Sequence, residues 1–350
     1  MNGQTAPVDL TIDQIGAALD DLLDRRDPNA SSTVLGAGSD DLEAGRRFLG
    51  SLVDGGWMVP TWPSRHGGRD ADAAEAALIE TAMGGYAIAD MYPYGVGLNL
   101  VGPVLLERGT PDQQDRWLRP IADGSEIWCQ MFSEPDAGSD LANAGMRADR
   151  DGDEWVLNGS KVWTSRGAYA RWGMCLARTD ASLAKHRGLT MFAVEMSAPG
   201  VEVRPLVQIN GDRHFTEVFV SDVRVPDADR IGDLGAGWGL TVETLAHYAD
   251  VHPDAELFLL LGSDIAPGLD TWVRPDEVRR RATIVVMQRP GFEQGRPPAG
   301  WEHQVLDGSF PDLASNHLRD RFAATGQIGD EVTAGVAEII RESGLYGVGR

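Results

Sequence analysis

Cysteine is scarce. Cys129 and Cys175 are the only two in 350 residues, too few for a disulfide framework, and each sits in an apolar run that marks a buried thiol. Basic residues are also short, with 31 Lys and Arg against 53 Asp and Glu and a formal charge of −22. A nucleic-acid partner needs clustered cations to neutralise phosphates, so that class is excluded. The same field disfavours anionic small ligands unless local cations or main-chain N–H groups offset it. No apolar run approaches the length that spans a bilayer, and no charged start precedes an apolar segment. A soluble, cytoplasmic chain without a membrane partner is therefore expected. Asn29 and Asn158 open glycosylation-type triplets, which mean little without a secretion signal.

What is present is core-forming material. The 42% hydrophobic content over this length can fill two or three domains, and no internal repeat is evident. Thr11 and Gln14 have capping-box spacing ahead of Ile12, Ile15, Leu19 and Leu22, which recur at helical intervals. Further helices are predicted from about Asp41 to Val53 and from about Asp70 to Ala82. Another starts at Thr110, with Pro111 at its first position and Gln113 in the box. The texture changes at Glu126. Short alternating segments at 155–157, 171–177, 189–195, 201–205 and 215–225, separated by turn residues, predict an antiparallel sheet closed as a barrel or packed as a sandwich. From Thr241 strands and helices alternate, with strands at 257–261, 283–288 and 303–306, which predicts a parallel α/β layer. The fold class is α+β and multidomain, divided at 1–125, 126–240 and 241–350.

The most specific segment is Gln130-Met131-Phe132-Ser133-Glu134-Pro135-Asp136-Ala137-Gly138-Ser139-Asp140, followed by Asn158-Gly159-Ser160-Lys161-Val162-Trp163-Thr164-Ser165. The first is a strand end running into a Gly/Ser/Asp loop, able to aim N–H groups at an electron-rich ligand. The second is a hairpin turn leading to an aromatic flanked by hydroxyls, a wall for a flat ring. Taken alone, a capped turn and a core tryptophan explain both. Together they resemble the middle β-domain of acyl-CoA dehydrogenases. That resemblance runs from Gly56-Trp57, Trp62-Pro63 and Gly67-Gly68 through Gly102-Pro103, Gly109-Thr110 and Gln113. It continues through Gly188-Leu189-Thr190, Pro199-Gly200-Val201, Phe215-Thr216-Glu217-Val218 and Val223-Arg224-Val225-Pro226 to Gly235-Ala236-Gly237-Trp238, covering about residues 8–240.

The resemblance implies FAD as cofactor, an acyl-CoA thioester as substrate, an electron-transfer acceptor and a homo- or hetero-oligomer. Gln130, Met131, Phe132 and Ser133 would line the flavin, near the edge where negative charge builds as hydride arrives. Trp163 would pack on the flavin ring, with Thr164 and Ser165 hydrogen-bonding beside it, and Ser139 would contact the acyl-CoA. Glu134 and Asp140 would fix the loop. In the family a carboxylate from a final helical bundle removes the proton alpha to the thioester as hydride leaves the beta carbon. No counterpart of that bundle is expected after residue 240, so no base is assigned, and impaired dehydrogenase activity is expected.

From Thr241 the sequence resembles the second half of a bacterial nicotinate-mononucleotide adenylyltransferase. The matching residues include Thr244-Leu245, His252-Pro253-Asp254-Ala255-Glu256-Leu257, Gly262-Ser263-Asp264, Asp270-Thr271-Trp272, Arg289-Pro290-Gly291 and Ile339 to Tyr346. By that resemblance Asp264 would contact a ribose, Trp272 would stack on a pyridine ring and Arg289 would lie near the mononucleotide. Ser315 and Arg319 would belong to a phosphate-binding helix start. The family's Gly-rich first loop has no counterpart here. The alternatives to a flavin enzyme are thus a nucleotide-binding module and an inactive chimera.

Overall fold

The computed structural model describes residues 10–27, 41–137, 141–183, 185–208, 213–237, 256–263, 265–272, 275–288, 294–306 and 324–325. The chain divides into two units, residues 1–206 with 213–252, and residues 207–212 with 253–350.

The first unit opens with five helices: α1 (Ile12–Asp20), α2 (Leu42–Leu52), α3 (Ala73–Met83), α4 (Gly102–Arg108) and α5 (Pro111–Ala122). Side-chain caps set their starts. Thr11 and Gln14 form the expected box on α1, Thr110 and Gln113 the one on α5, while Asp41 and Asp72 cap α2 and α3. Gln113 does more than cap. Its amide also donates to the carbonyls of Ala228 (2.7 Å) and Arg230 (2.9 Å), fastening α5 to the end of the β-domain. A π-helical turn at Gly97–Val101 leads into α4. A Cβ on Gly102 would lie 2.1 Å from the Trp62 ring, so only glycine lets α4 begin there.

Eight strands follow: β1 (Trp128–Met131), β2 (Arg147–Asp151), β3 (Glu154–Ser165), β4 (Trp172–Arg178), β5 (Leu189–Glu195), β6 (Val201–Leu206), β7 (Phe215–Pro226) and β8 (Arg230–Ile231). Their order is β6-β7-β3-β2-β4-β5-β8, with β1 beside β4. The expected closed antiparallel barrel is not what forms. Strand β1 runs parallel to β4 over the four pairs from Trp128↔Trp172 to Met131↔Cys175. That leaves β2 a single parallel pair with β4, Arg147↔Arg178. A barrel needs one continuous ladder around its circumference. Here the ladder forks at β4, and among the described residues β6 and β8 end it.

Strands β4 and β5 are buried on both faces, which explains their unbroken apolar runs. Trp172, Met174 and Leu176 join the core of the helical domain, together with Trp128, Leu189 and Met191. Cys175, Ala177, Phe192 and Val194 face the other way, into a second cluster with Met131, Met146, Trp155, Leu157 and Val223. Helices and sheet therefore share a core, and each fully buried large side chain contributes about 1.5–3 kcal/mol. At the seam Trp117 stands edge-on to Trp128 (5.5 Å), and Trp128 stacks on Trp172 (5.8 Å). Glu126 closes it, accepting from Trp172 Nε1 at 3.0 Å and pairing with Arg116 at 3.1 Å and Arg171 at 3.0 Å.

Among its described residues the second unit has three parallel strands in the order β11-β10-β9, namely β9 (Leu257–Gly262), β10 (Ala282–Met287) and β11 (His303–Leu306). Helix α6 (Pro275–Arg281) precedes β10. Val278, Ile284 and Val286 are buried, while Phe258 (45%) and Leu260 (55%) stand exposed on β9. Asp270 accepts from Trp301 Nε1 at 2.7 Å and from Arg279 at 3.0 Å.

Candidate functional site

The two sequence segments meet. Val162 N–H donates to the Ser133 carbonyl at 2.8 Å, joining β3 to the chain leaving β1. Met131 is fully buried in the sheet's inner cluster, so its side chain is core and only its main chain can face a ligand. Gln130 and Ser133 are half-buried, and half-buried Phe132 packs against the helical core. Beyond them the loop folds back tightly, Glu134 N–H reaching the Ala137 carbonyl at 3.0 Å.

Trp163 sits on an irregularity where the β3–β7 register shifts between Lys161 and Thr164. Its φ of 58° is left-handed, an uncommon conformation for a bulky residue, and it turns the indole outward to 60% exposure. Among the described residues the ring's aromatic contact is an edge-on one with Phe215 at 5.9 Å. Thr164 behaves differently. It is fully buried, and its Oγ1 has no hydrogen-bond partner among the described residues. Ser165 is half-buried at the end of β3, opposite Phe215. Of the two hydroxyls expected beside the ring, that of Thr164 is enclosed while Ser165 is partly exposed.

Two groups at this end were not anticipated. Arg166 is buried, also at φ 58°, with its guanidinium 4.5 Å from the centre of the Tyr92 ring and its N–H on the His214 carbonyl at 2.8 Å. A basic residue after a strand carries no signal of burial, so sequence could not find it. Lys161 is wholly buried and pairs with Glu134 at 2.7 Å. Burial pushes both cysteine thiols up, Cys175 to about 11, so neither is a nucleophile. Among the described residues no His, Cys, Asp or Glu group could hold a metal ion. No described helix is long and apolar enough to cross a membrane.

Ser139 and Asp140 lie outside the described residues, as do Asp264, Arg289, Ser315 and Arg319. Trp272 is half-buried with its N–H on the Leu269 carbonyl at 3.1 Å. In the first unit Gly235 is left-handed at φ 75°, and Gly237 N–H donates to the Leu189 carbonyl at 2.9 Å, making this stretch a turn against β5.

An exposed indole, Ser133 joined to the neighbouring Val162 by a main-chain hydrogen bond and the half-buried Ser165 lie at this end of β3. The acyl-CoA dehydrogenase N-terminal domain family matches residues 36–125, and the acyl-CoA dehydrogenase middle domain family matches residues 129–223. Acyl-CoA dehydrogenase FadE34 of Mycobacterium tuberculosis is 45% identical over 197 residues, 56% of this chain and 27% of that protein. Acyl-CoA dehydrogenase IpdE1 of the same organism is 44% identical over 207 residues, 58% of this chain and 52% of that one. The chain thus spans about half the length, or less, of these curated relatives. Among solved structures, a variant of the Tcur3481-Tcur3483 steroid ACAD shares 28% identity at a TM-score of 0.54, covering 68% of this chain and 62% of that one. The ChsE4-ChsE5 complex from Mycobacterium tuberculosis shares 28% at 0.51, covering 71% and 61%. The adenylyltransferase resemblance of residues 241–350 finds no support in the family matches, which end at Val223.

Proposed function

We propose, from the premise that this chain carries the N-terminal and middle domains of the acyl-CoA dehydrogenase family, that residues 130–133 and 163–165 form one wall of a flavin site. The reaction is oxidation of the alpha–beta carbon–carbon bond of an acyl-CoA thioester. The observation that carries this reading is the outward indole of Trp163, held at the bulge next to the segment that Ser133 anchors. A bulky side chain in a left-handed conformation is strained, and such strain concentrates where a ligand uses it.

The residues present fit FAD. Trp163 offers the ring face, while Ser133 and Ser165 offer hydroxyls at its edge. Bound there, FAD supplies a two-electron acceptor for the hydride that leaves the beta carbon. The chain's own residues bind and orient: the Trp163 face keeps water from one side of the ring, and fixed hydroxyl dipoles meet negative charge without reorganising. Tyr92 of the helical domain lies against Arg166, which follows this wall in the chain, and would border the acyl group. The steroid ACAD likeness favours a polycyclic acyl group, and the likeness to the ChsE4-ChsE5 complex favours a second polypeptide completing the site.

The test is anaerobic mixing of the flavin-loaded protein, with whatever partner it requires, with straight-chain and steroid-derived acyl-CoA thioesters. Bleaching of the flavin absorbance by the thioester is expected. A loaded protein whose absorbance is indifferent to every thioester would contradict the proposal.

A further inference from the structure

Lys161 is completely buried, two residues before Trp163. Its ammonium has three N–H donors, and three oxygens meet them: Glu134 Oε1 at 2.7 Å, the Leu176 carbonyl at 2.7 Å and the Phe132 carbonyl at 3.0 Å. Glu134 accepts two further hydrogen bonds besides that of Lys161. Its Oε1 also accepts from Met146 N–H at 3.0 Å, and its Oε2 accepts from Gly145 N–H at 2.7 Å. The pair therefore ties the loop after β1 to β3, to β4 and to the start of β2.

A buried pair of this kind is a poor source of stability, because desolvating two ions offsets most of their attraction. Its geometric consequence is sharper. With the Phe132 carbonyl drawn to Lys161 and the Ser133 carbonyl drawn to Val162 N–H, the two peptide planes flanking Ser133 are fixed. The peptide between Phe132 and Ser133 is planar and trans, so its N–H points opposite to its carbonyl. Pulling the Phe132 oxygen toward the buried ammonium turns the Ser133 N–H away from it.

We propose that Lys161 and Glu134 are positioning residues for the flavin: by holding the Phe132 carbonyl inward they aim the Ser133 N–H and hydroxyl at the ring edge. This rests on the flavin site proposed above. Removing either charge alone strands the other in the core, so the double variant Lys161→Met with Glu134→Gln is the instrument. FAD affinity is measured by titration of the protein, and amide exchange is followed at Val162, whose N–H reports the grip on Ser133, and at Cys175 in the core. The expected result is FAD affinity weakened about tenfold or more with Val162 exchanging faster and Cys175 unchanged. Unchanged FAD affinity overturns the proposal, and so does weakened affinity with Val162 exchange unaltered. If the double variant unfolds, Glu134→Asp alone, which keeps the charge but shortens its reach to the ammonium, carries the same two readouts with a smaller expected loss. Failure of the unsubstituted protein to bind FAD overturns the flavin site itself and this role with it, while Val162 exchange still decides whether the pair grips the loop.

Discussion

The Val162 N–H on the Ser133 carbonyl, at 2.8 Å, makes one site out of two segments that lie apart in sequence. Everything proposed for the flavin depends on that junction, because it sets Trp163 and Ser133 side by side. The consequences can be measured one residue at a time.

Trp163→Gly separates strain from function. Glycine adopts a φ of 58° without the penalty a bulky residue incurs, and the indole removed is mostly in solvent. The variant should unfold within about 1 kcal/mol of the parent, yet lose most of its flavin affinity. Chemical denaturation and flavin titration check the pair of outcomes. Equal flavin binding would show that the ring face is not used.

Thr164 and Ser165 should respond in opposite ways. A buried hydroxyl without a partner costs roughly 1–3 kcal/mol, so Thr164→Val is expected to raise stability by about 1 kcal/mol and leave flavin binding alone. Ser165→Ala should leave stability alone and weaken flavin binding. Reversal of the two would mean that the bulge presents Thr164 to the ligand instead.

The difference between these neighbours also shows where sequence stops. The capping boxes at Thr11 and Thr110, the helices they start and the positions of β4 and β5 were legible, because caps and strand segments are local signals, whereas the burial of β4 and β5 on both faces departs from the alternation expected of them. The Trp163 segment was legible as a candidate wall. Which hydroxyl faces out was not, since the register shift between Lys161 and Thr164 breaks simple alternation. Strand β1 escaped the period-two pattern because its four residues pair in parallel with β4 more than forty positions on. That same pairing opens the sheet that was expected to close. Lys161 looks like surface in any sequence; only the oxygens of Phe132, Glu134 and Leu176 converging on it explain its burial.

Acid should weaken the first unit through Asp227. Hydrogen bonds from Arg230 and then Trp155 hold its carboxyl down at about 2 in the folded chain. A group with a depressed folded value stabilises above its ordinary value near 3.8, and that contribution fades as pH falls through about 2. Asp227→Asn should lose about 1–2 kcal/mol at neutral pH and nearly nothing at the acid end, as read by unfolding across pH. Burial pushes neighbouring Asp229 up, which works in the opposite direction, so the comparison is best made with Asp229→Asn as background.

The second unit should be the less stable and the more adhesive. Phe258 and Leu260 stand exposed on β9, one of the two outer strands of the three described, and exposed apolar edges promote association. Amides of β9 should exchange faster than those of β4, and Phe258→Lys with Leu260→Lys should reduce concentration-dependent association in sedimentation. A parent protein that stays monomeric and protects β9 as well as β4 would contradict this.

The decisive measurement is the binding of FAD to the purified protein, followed by its visible absorbance and by quenching of its fluorescence, with Trp163→Ala as the control. A flavin ring lying on the indole should be quenched and should dissociate on substitution of Trp163. Saturating FAD that leaves the spectrum and the fluorescence unchanged, or that binds the Trp163→Ala variant equally well, would contradict a flavin site at Ser133 and Trp163.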